Sequence, residues 1–270
     1  MSKYITHFQT EAAYNAALPS LDLPNVSLVD ELGEVHYHRA LYGAHAGDIA
    51  LYDVANAQKI VVTAADWNLT TYPTASYPII GVVLADESPT GCKVVSPTYI
   101  DVNGNNSVQS IKKGWQNINF DWGLTKYNTD ADAKTDMNGK TNTTAILAAI
   151  KAYDIANSTD NITGNFSQGI QLYSTAGTSA GDWYIPSSGE MYTLLSTNRT
   201  IINASISKIR NADSSLYYLI LTSAKHIQST EYGVTSFAVF YNGTYETSQF
   251  TNLDKSNNST GIYCRPFAII

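Results

Sequence analysis

The sequence predicts a mainly β protein with an α+β C-terminal domain. Short runs of β-branched and aromatic residues, separated by Gly, Pro and Asn, extend from Ala44 to Ile100 and return from Ser215 to the C-terminus. Between them lie segments in which apolar residues recur at helical spacing. Hydrophobic residues make up 44% of the 270 residues and charged residues only 14%, which predicts a globular protein with a polar, weakly ionic surface.

The first hundred residues predict an N-terminal attachment segment at residues 1–40 and a small β domain at residues 41–100. The segment TEAAYNAALPS has the pattern of a short amphipathic helix, and NVSLVDELGEVHYHR that of two strands joined by a turn. Four further β runs follow, with the sequences GDIALYD, KIVVTAADW, YPIIGVVLAD and CKVVSPTYI. The polar stretch DVNGNNSVQS then predicts a boundary to a third domain at residues 101–270.

The third domain is predicted to contain two helices and several strands. The segments TNTTAILAAIKAYD and EMYTLLSTNRTIINASISKI each keep their apolar residues on one side of a helix. The segments TDADAKTDMNGKTNT and NSTDNITGNFSQG are polar and predict loops. Strands are predicted in SLYYLILTSAKHI, SFAVFYNGTYETSQF and GIYCRPFAII, and Asn242-Gly243 is a hairpin signal.

The stretch GDWYIPSSGEMYTLL predicts a structural corner between a strand and a helix. Trp183 and Tyr184 have strand character, and Pro186 ends the strand because it lacks a backbone donor. Ser187 or Ser188 can then cap a helix that has Glu190 in its first turn.

The preceding GTSAG matches the pattern around a nucleophilic serine, but that motif needs a helix directly after Ser179. The segment that follows Ser179 ends in Ile185-Pro186, which is incompatible with that helix. We therefore expect no catalytic residue and no enzymatic activity. The alternative is a hydrolase of glycans or esters that uses Asp182 or Glu190 near Ser179.

Charge and cysteine content exclude several classes of protein. The net charge is -7 and no basic run occurs, so a nucleic-acid partner is not expected. No apolar stretch approaches the roughly 20 residues of a membrane span, so we expect a soluble protein without membrane insertion. Cys92 and Cys264 are too few for a disulfide framework or a zinc site, and we interpret both as small buried hydrophobes. No cofactor is expected.

Two groups of residues are candidates for metal binding. Asp130, Asp132, Asp136 and Asn138 place oxygen ligands in one polar segment, as calcium requires, although the spacing departs from the EF-hand pattern and a solvated loop is the alternative. His36 and His38 share one face of a predicted strand near His45. Neither group includes a complete ligand pattern, so the sequence does not predict a metal site.

Ligand binding is expected to rest on aromatic side chains flanked by amides and hydroxyls, as in carbohydrate sites. The chain has nineteen tyrosines and four tryptophans, most of which we expect to pack in the core. The candidate binding residues are Trp183, Glu231, Tyr232, Tyr241 and Asn242.

From Trp115 to the end, the sequence resembles a domain found in Bacteroidetes surface proteins and their phages, related to C-type-lectin-like and formylglycine-generating-enzyme-like folds. The resemblance rests on GDWYIPSSGEMYTLL, on NRTIINASISKI, on Ser229-Thr230-Glu231-Tyr232 and on the closing YCRPFAII. The chain departs from the family at Ile227-Gln228, where an aromatic residue is usual, and it lacks the lectin calcium motifs and the cysteines of the oxidising enzymes. The resemblance therefore implies a C-type-lectin-like fold without oxygenase-like chemistry.

The N-terminal part is similar to the start of structural proteins of tailed phages that infect gut Bacteroidetes, including crAss-like phages. The similarity covers FQTEAAYNAALPSLDLPNVSLVDELGEVHYH, GDIALYD and YPIIGVVLAD. It implies a virion appendage made in the host cytoplasm, either a head fibre or capsid decoration or, alternatively, a tail fibre. The implied partners are further copies of the chain in a homotrimer, capsid or other virion proteins bound through the N-terminal region, and a host-surface glycan or receptor.

Overall fold

The structure, a computed structural model, describes most of the chain from residue 44 onwards. The described ranges are 28–29, 35–36, 44–85, 92–107, 109–110, 112–212, 217–221, 224–233, 236–242, 248–256 and 261–270. In the N-terminal part, strands β1 (Leu28–Val29) and β2 (Val35–His36) pair antiparallel, which confirms the predicted pair of strands. The helix predicted in TEAAYNAALPS lies outside the described residues.

The main element is a six-stranded antiparallel sheet. Its strands are β3 (Ile49–Asp53), β4 (Gln58–Val62), β5 (Ile79–Val83), β6 (Lys93–Val95), β7 (Trp183–Tyr184) and β11 (Phe267–Ile269), in the order β4-β3-β5-β6-β11-β7. The closing strand β11 lies between β6 and β7, so that Phe267 is opposite both Val95 and Tyr184. The six segments were all predicted as strands.

This sheet contains strands from both sides of residue 100. Strands β3 to β6 come from the predicted small β domain, and β7 and β11 come from the predicted third domain. The boundary predicted at residues 100–101 therefore falls inside one hydrogen-bonded sheet. The polar segment DVNGNNSVQS is a connection within this domain and not a domain boundary. A local change in polarity predicts such a connection but does not show that strands on its two sides pair with each other.

Both faces of the main sheet are buried, and alternate residues serve two separate core clusters. Ile49, Leu51 and Val95 face one cluster together with Met191, Ile202 and Ile206 from the helices after the corner. Ala50, Val61 and Val94 face the other cluster together with Trp115, Ile146 and Phe166. Because successive side chains of a strand point to opposite faces, each strand contributes to both clusters.

The helices pack on these two faces. They are α1 (Asp130–Ala133), α2 (Gly139–Asn157), α3 (Phe166–Leu172), α4 (Ser188–Tyr192), a π-helical segment (Thr193–Asn198) and α5 (Arg199–Ala212). The two long predicted helices are confirmed as α2 and as the run from α4 to α5. The segments predicted as loops contain α1 and α3 instead. Helix α3 escaped prediction because only Phe166 and Ile170 are apolar at helical spacing within a polar segment.

A second, three-stranded antiparallel sheet has the order β10-β9-β8. Its strands are β8 (Lys225–Glu231), β9 (Ser236–Asn242) and β10 (Ser248–Asp254). Strands β9 and β10 pair antiparallel with Asn242 opposite Ser248, and the predicted Asn242-Gly243 turn lies partly outside the described residues. In the segment SLYYLILTSAKHI, the strand begins only at Lys225.

The two cysteines are buried, as predicted, and they do not form a disulfide with each other. Cys92 exchanges backbone hydrogen bonds with Ile270, whereas Cys264 accepts one from Ile100. Six residues of extended chain span roughly 20 Å, so these positions are too far apart for a disulfide. Burial raises the pKa of the Cys264 thiol. Among the described residues, no helix has the length and hydropathy needed to cross a membrane.

Candidate functional site

The stretch at Trp183–Tyr192 forms the strand-to-helix corner that the sequence predicts. Strand β7 ends at Tyr184, and α4 begins at Ser188 after Pro186. The Glu190 side chain accepts a hydrogen bond from the backbone N–H of Ser187 at 3.0 Å, which is the carboxylate half of a capping box. The Ser187 hydroxyl donates to the Asp136 carbonyl at 2.6 Å.

The carboxylate of Glu190 is buried and fully engaged. The Tyr184 hydroxyl donates to Oε1 at 3.0 Å, and the Lys93 ammonium lies 2.9 Å from the same oxygen. Gly139 is packed so closely that a Cβ there would lie 2.1 Å from Glu190 Oε2 and 2.7 Å from the Ser187 nitrogen. The carboxylate thus joins β6, β7, α2 and α4, and no oxygen faces solvent for general acid or base chemistry.

Strand β8 interlocks with this corner. Thr230 Oγ1 accepts the backbone N–H of Ser188 at 2.8 Å, and the Gln228 side chain accepts the Ser188 hydroxyl at 2.7 Å. The backbone N–H of Ser229 donates to the Pro186 carbonyl at 2.9 Å. The two segments that carry the family resemblance therefore bind each other inside the core.

The four calcium candidates do not converge on one site. Asp136 is buried, and its carboxylate accepts bonds from Thr230 Oγ1 at 2.7 Å, Asn142 Nδ2 at 2.8 Å and the backbone N–H of Asn138 at 3.0 Å. Asp130 and Asp132 are exposed on the short helix α1. Asp136 acts as a structural acceptor for the corner because it is turned into the core.

The three histidine candidates are not seen together in the described part of the chain. His36 is described only by its backbone position in β2, and His38 lies outside the described residues. His45 is exposed, with Nδ1 3.9 Å from Asp48 Oδ2. Across the described ranges, no three His, Cys, Asp or Glu side chains are placed to hold a metal ion.

Ser179 lies in a turn without a following helix. Its backbone N–H donates to Asp182 Oδ2 at 2.7 Å, and the Asp182 N–H donates back to the Ser179 carbonyl at 3.1 Å. The carboxylate of Asp182 is therefore used to close the turn. Strand β7 follows directly, so the geometry of a nucleophile elbow is not formed.

Glu231 forms a buried ion pair with Lys255, and both side chains have 0% exposure. The Glu231 carboxylate also accepts the backbone N–H groups of Trp122 at 3.0 Å and Leu124 at 2.9 Å. The Lys255 ammonium lies 4.1 Å from the Trp122 ring centroid and donates to the Phe120 carbonyl at 2.7 Å. Burial lowers the pKa of Lys255, and the hydrogen bond to Glu231 opposes this shift.

A second buried polar cluster joins β8 to the C-terminal segment. The Arg265 guanidinium lies 4.0 Å from the Tyr99 ring centroid and donates to the Ser96 carbonyl at 2.8 Å. The Tyr99 hydroxyl accepts the Leu221 N–H at 2.8 Å and lies 3.1 Å from His226 Nε2. Burial and the positive charge of Arg265 lower the pKa of His226 to about 3.

The buried His226 predicts a loss of stability in acid. Its folded pKa of about 3 lies below the ordinary value of 6.5, so its contribution is complete above pH 6.5 and is lost as the pH falls toward 3. Protonation of the unfolded state should remove about 2 kcal/mol by pH 5. Chemical unfolding of the native protein and of His226→Gln between pH 7 and pH 4 measures this.

Gln keeps a polar group near the Tyr99 hydroxyl but does not titrate. The His226→Gln variant should therefore lose less stability on acidification than the native protein. Parallel pH profiles for the two proteins would contradict the burial of a neutral imidazole at this position.

The candidate ligand-binding residues occupy different environments. Trp183 is 2% exposed and donates its indole N–H to Thr178 Oγ1 at 2.9 Å. Glu231 is 1% exposed. Tyr232 is half-buried, and its hydroxyl donates to the Asn128 carbonyl at 2.9 Å. Tyr241 and Asn242, of which only the backbone is described, end strand β9 at the hairpin.

Trp183 and Glu231 are buried and therefore have structural roles, because an external ligand does not reach them. Lys255 and His226 carry no sequence signal for their buried roles, because their partners are distant in the chain. Arg265 offers one signal: it is a charged residue inside the apolar segment YCRPFAII, where burial requires paired donors. The remaining candidates for recognition are loops and the β9–β10 hairpin.

The described residues define an antiparallel β protein with helices on both faces of its main sheet. No protein-family model matches the sequence, and no curated protein matches it. A fimbrial protein from Bacteroides ovatus ATCC 8483 has a solved structure with a TM-score of 0.43 and 15% sequence identity. The match covers 93% of this chain and 49% of that protein, so the chain spans about half its length. A similarity this low supports no conclusion about function.

Proposed function

We propose that this chain is a non-enzymatic structural protein of a tailed-phage virion, a head fibre or capsid decoration that attaches to host-surface carbohydrate or another receptor. Its N-terminal region contacts the particle, and the chain assembles as a homotrimer. A C-type-lectin-like domain, completed by strands β3 to β6, is displayed outward. A tail fibre is the alternative location, because the same adhesive chemistry serves either position.

The observation that carries the proposal is that the side chains able to act as acids or bases are buried in the core. The carboxylates of Glu190, Asp136 and Glu231 all accept hydrogen bonds inside the core, and the His226 imidazole is fully buried. A general acid or base must reach a bound substrate, which these groups do not. This supports a scaffold role for the segments that carry the family resemblance, and it favours recognition by the exposed loops.

The β9–β10 hairpin is the proposed adhesive element. Tyr241 and Asn242 lie at its end, and aromatic and amide residues are the types that stack on and hydrogen-bond to a sugar. Each such contact is weak. Three copies in a trimer, and many trimers on a particle, would raise the avidity without any new contact.

Attachment to host cells tests this function. Fluorescent full-length protein should bind intact host cells, and Tyr241→Ala or Asn242→Ala should reduce binding about tenfold, because one stacking or hydrogen-bonding contact is worth roughly that factor. Ile155→Ala, at an exposed position on α2 (73% exposed), is the matched control and should bind normally. Equal binding by all variants would remove the hairpin from the adhesive surface.

Location and activity are tested separately. Cryo-electron microscopy of virions bearing labelled antibody fragments against the chain should place it on the capsid, whereas labelling of the tail tip would select the tail-fibre alternative. Incubation with host capsule and generic esters should release no product. Turnover that is lost on Ser179→Ala or Glu190→Gln would establish a hydrolase instead.

A further inference from the structure

Residues 63–78 form a long connection between β4 and β5 without a helix or strand of its own. Its backbone is ordered by internal hydrogen bonds. The Asn68 side chain accepts the N–H groups of Thr70 at 3.1 Å and Thr71 at 2.9 Å, and the Pro73 carbonyl accepts the Tyr77 N–H at 2.8 Å. Irregular loops longer than about 12–15 residues are uncommon in compact domains and are usually functional.

This loop is anchored rigidly to the rest of the molecule. Trp67 is 1% exposed and packs, like the partly buried Leu69, against the core cluster beneath α5. The Lys208 ammonium on α5 donates to the Ala65 carbonyl at 3.0 Å and also to the Ala64 carbonyl. A binding site on such a loop is preorganised, which lowers the entropic cost of holding a ligand.

Two tyrosines in contact with each other and one exposed carboxylate lie on the loop. Tyr72 and Tyr77 are half-buried and pack edge to face, with ring centroids 5.4 Å apart and an interplanar angle of 81°. Burial, followed by the charges of Asp66 and Tyr77, raises the pKa of Tyr72, so its hydroxyl remains a donor at neutral pH. Asp66 is exposed, and its Oδ2 accepts the Thr63 hydroxyl at 2.5 Å.

Trp67 also carries a buried donor without a hydrogen-bond partner. The indole N–H groups of Trp115, Trp122 and Trp183 donate to Gln228, Gln116 and Thr178, respectively. Trp67 Nε1 has no acceptor among the described residues. Unpaired buried donors are rare in native proteins, and each needs an explanation. Here the donor lies at the base of a rigid loop that displays two tyrosines.

We propose that the loop at residues 63–78 binds a neutral carbohydrate, with a sugar ring stacked on Tyr72, which the edge-to-face contact with Tyr77 holds in place, and with sugar hydroxyls donating to Asp66. The exposed carboxylate and the net charge of -7 disfavour acidic sugars. The inference rests on the proposed adhesive function but places a second site away from the β9–β10 hairpin. The site lies within residues 41–100, to which the sequence assigns no ligand.

The four indole N–H groups provide the test. Full-length protein labelled with ¹⁵N-tryptophan is titrated separately with mannotetraose, maltotetraose, cellotetraose and xylotetraose. At least one neutral tetrasaccharide should shift the Trp67 indole resonance, because Trp67 belongs to the loop, while the indole signals of the other three tryptophans, which lie outside the loop, stay in place. If none of the four sugars moves the Trp67 signal, the proposed site is excluded.

Variants assign the response to the tyrosines. Tyr72→Ala should weaken the affinity for the responding sugar about tenfold. Tyr72→Phe keeps the aromatic ring and should therefore retain most of the affinity. Tyr192→Ala, at an exposed tyrosine on α4, is the control and should bind as the native protein does. Unchanged affinity in both Tyr72→Ala and Tyr77→Ala, with native thermal unfolding, would overturn the proposal. Host-cell attachment that depends on Tyr241 alone would leave the adhesive function intact.

Discussion

A fragment of residues 101–270 should fail to fold into a stable domain, although the sequence predicts a boundary at its start. In the whole chain, β11 pairs with β6 on one side and β7 on the other. The fragment lacks β3 to β6, so β11 loses one partner and both core clusters lose their sheet residues. A domain stable by only about 5–15 kcal/mol cannot lose four buried strands and remain folded.

Circular dichroism and thermal unfolding measure this loss. The fragment should give no cooperative transition and no near-ultraviolet aromatic signal. A fragment of residues 44–270 is the matched control and should unfold cooperatively, because β1 and β2 form a sheet separate from the six-stranded one. A cooperative transition of 101–270 near the midpoint of the whole chain would restore the boundary at residue 100.

Lys255→Met should lower the free energy of unfolding by about 3–5 kcal/mol, because it removes the buried ammonium that contacts the Glu231 carboxylate directly. Methionine preserves most of the side-chain volume beside the Trp122 ring, so the lost charge accounts for most of the effect. The carboxylate would retain the two N–H bonds from Trp122 and Leu124 and the partly exposed Lys126 ammonium 4.0 Å from Oε2. Urea unfolding at neutral pH measures the change.

Lys126→Met is the matched control for this ion pair. Its ammonium lies 2.9 Å from Asp121 Oδ1 and 4.0 Å from Glu231 Oε2, but the Lys126 and Asp121 side chains are 31% and 45% exposed, so we expect a change of less than about 1 kcal/mol. The double variant Lys255→Met/Glu231→Gln should recover part of the stability, since no unpaired charge remains buried. Similar small losses for Lys255→Met and Lys126→Met would show that the Lys255 pair is solvated in solution.

The two buried clusters also distinguish residues that stabilise the core from residues that are expected to take part in recognition. The Glu231 and Arg265 clusters tie β8, the C-terminal segment and the loop around Trp122 into one unit. Glu231 and Arg265 belong to two of the segments that carry the family resemblance, and in both segments the charged side chain is buried. Sequence variation that changes recognition is then expected in the β9–β10 hairpin and in the loop at residues 63–78.

Local patterns in the sequence were sufficient for most elements of the fold. Short runs of β-branched and aromatic residues predicted β3 to β6, the order Pro186, Ser187, Glu190 predicted the capped corner, and apolar spacing predicted α2 and α5. These elements depend on neighbours within a few residues, which the sequence displays directly. Helix α3 differs from expectation because its local signal was weak.

Contacts between distant segments were decided only by tertiary structure. Strand β11 completes a sheet begun more than a hundred residues earlier, and the partners of Glu231, His226 and Arg265 come from separate parts of the chain. A charged or aromatic side chain has the same identity whether it is exposed or buried. Its role is set by desolvation and by the partners that the folded chain brings to it, and neither is encoded in local spacing.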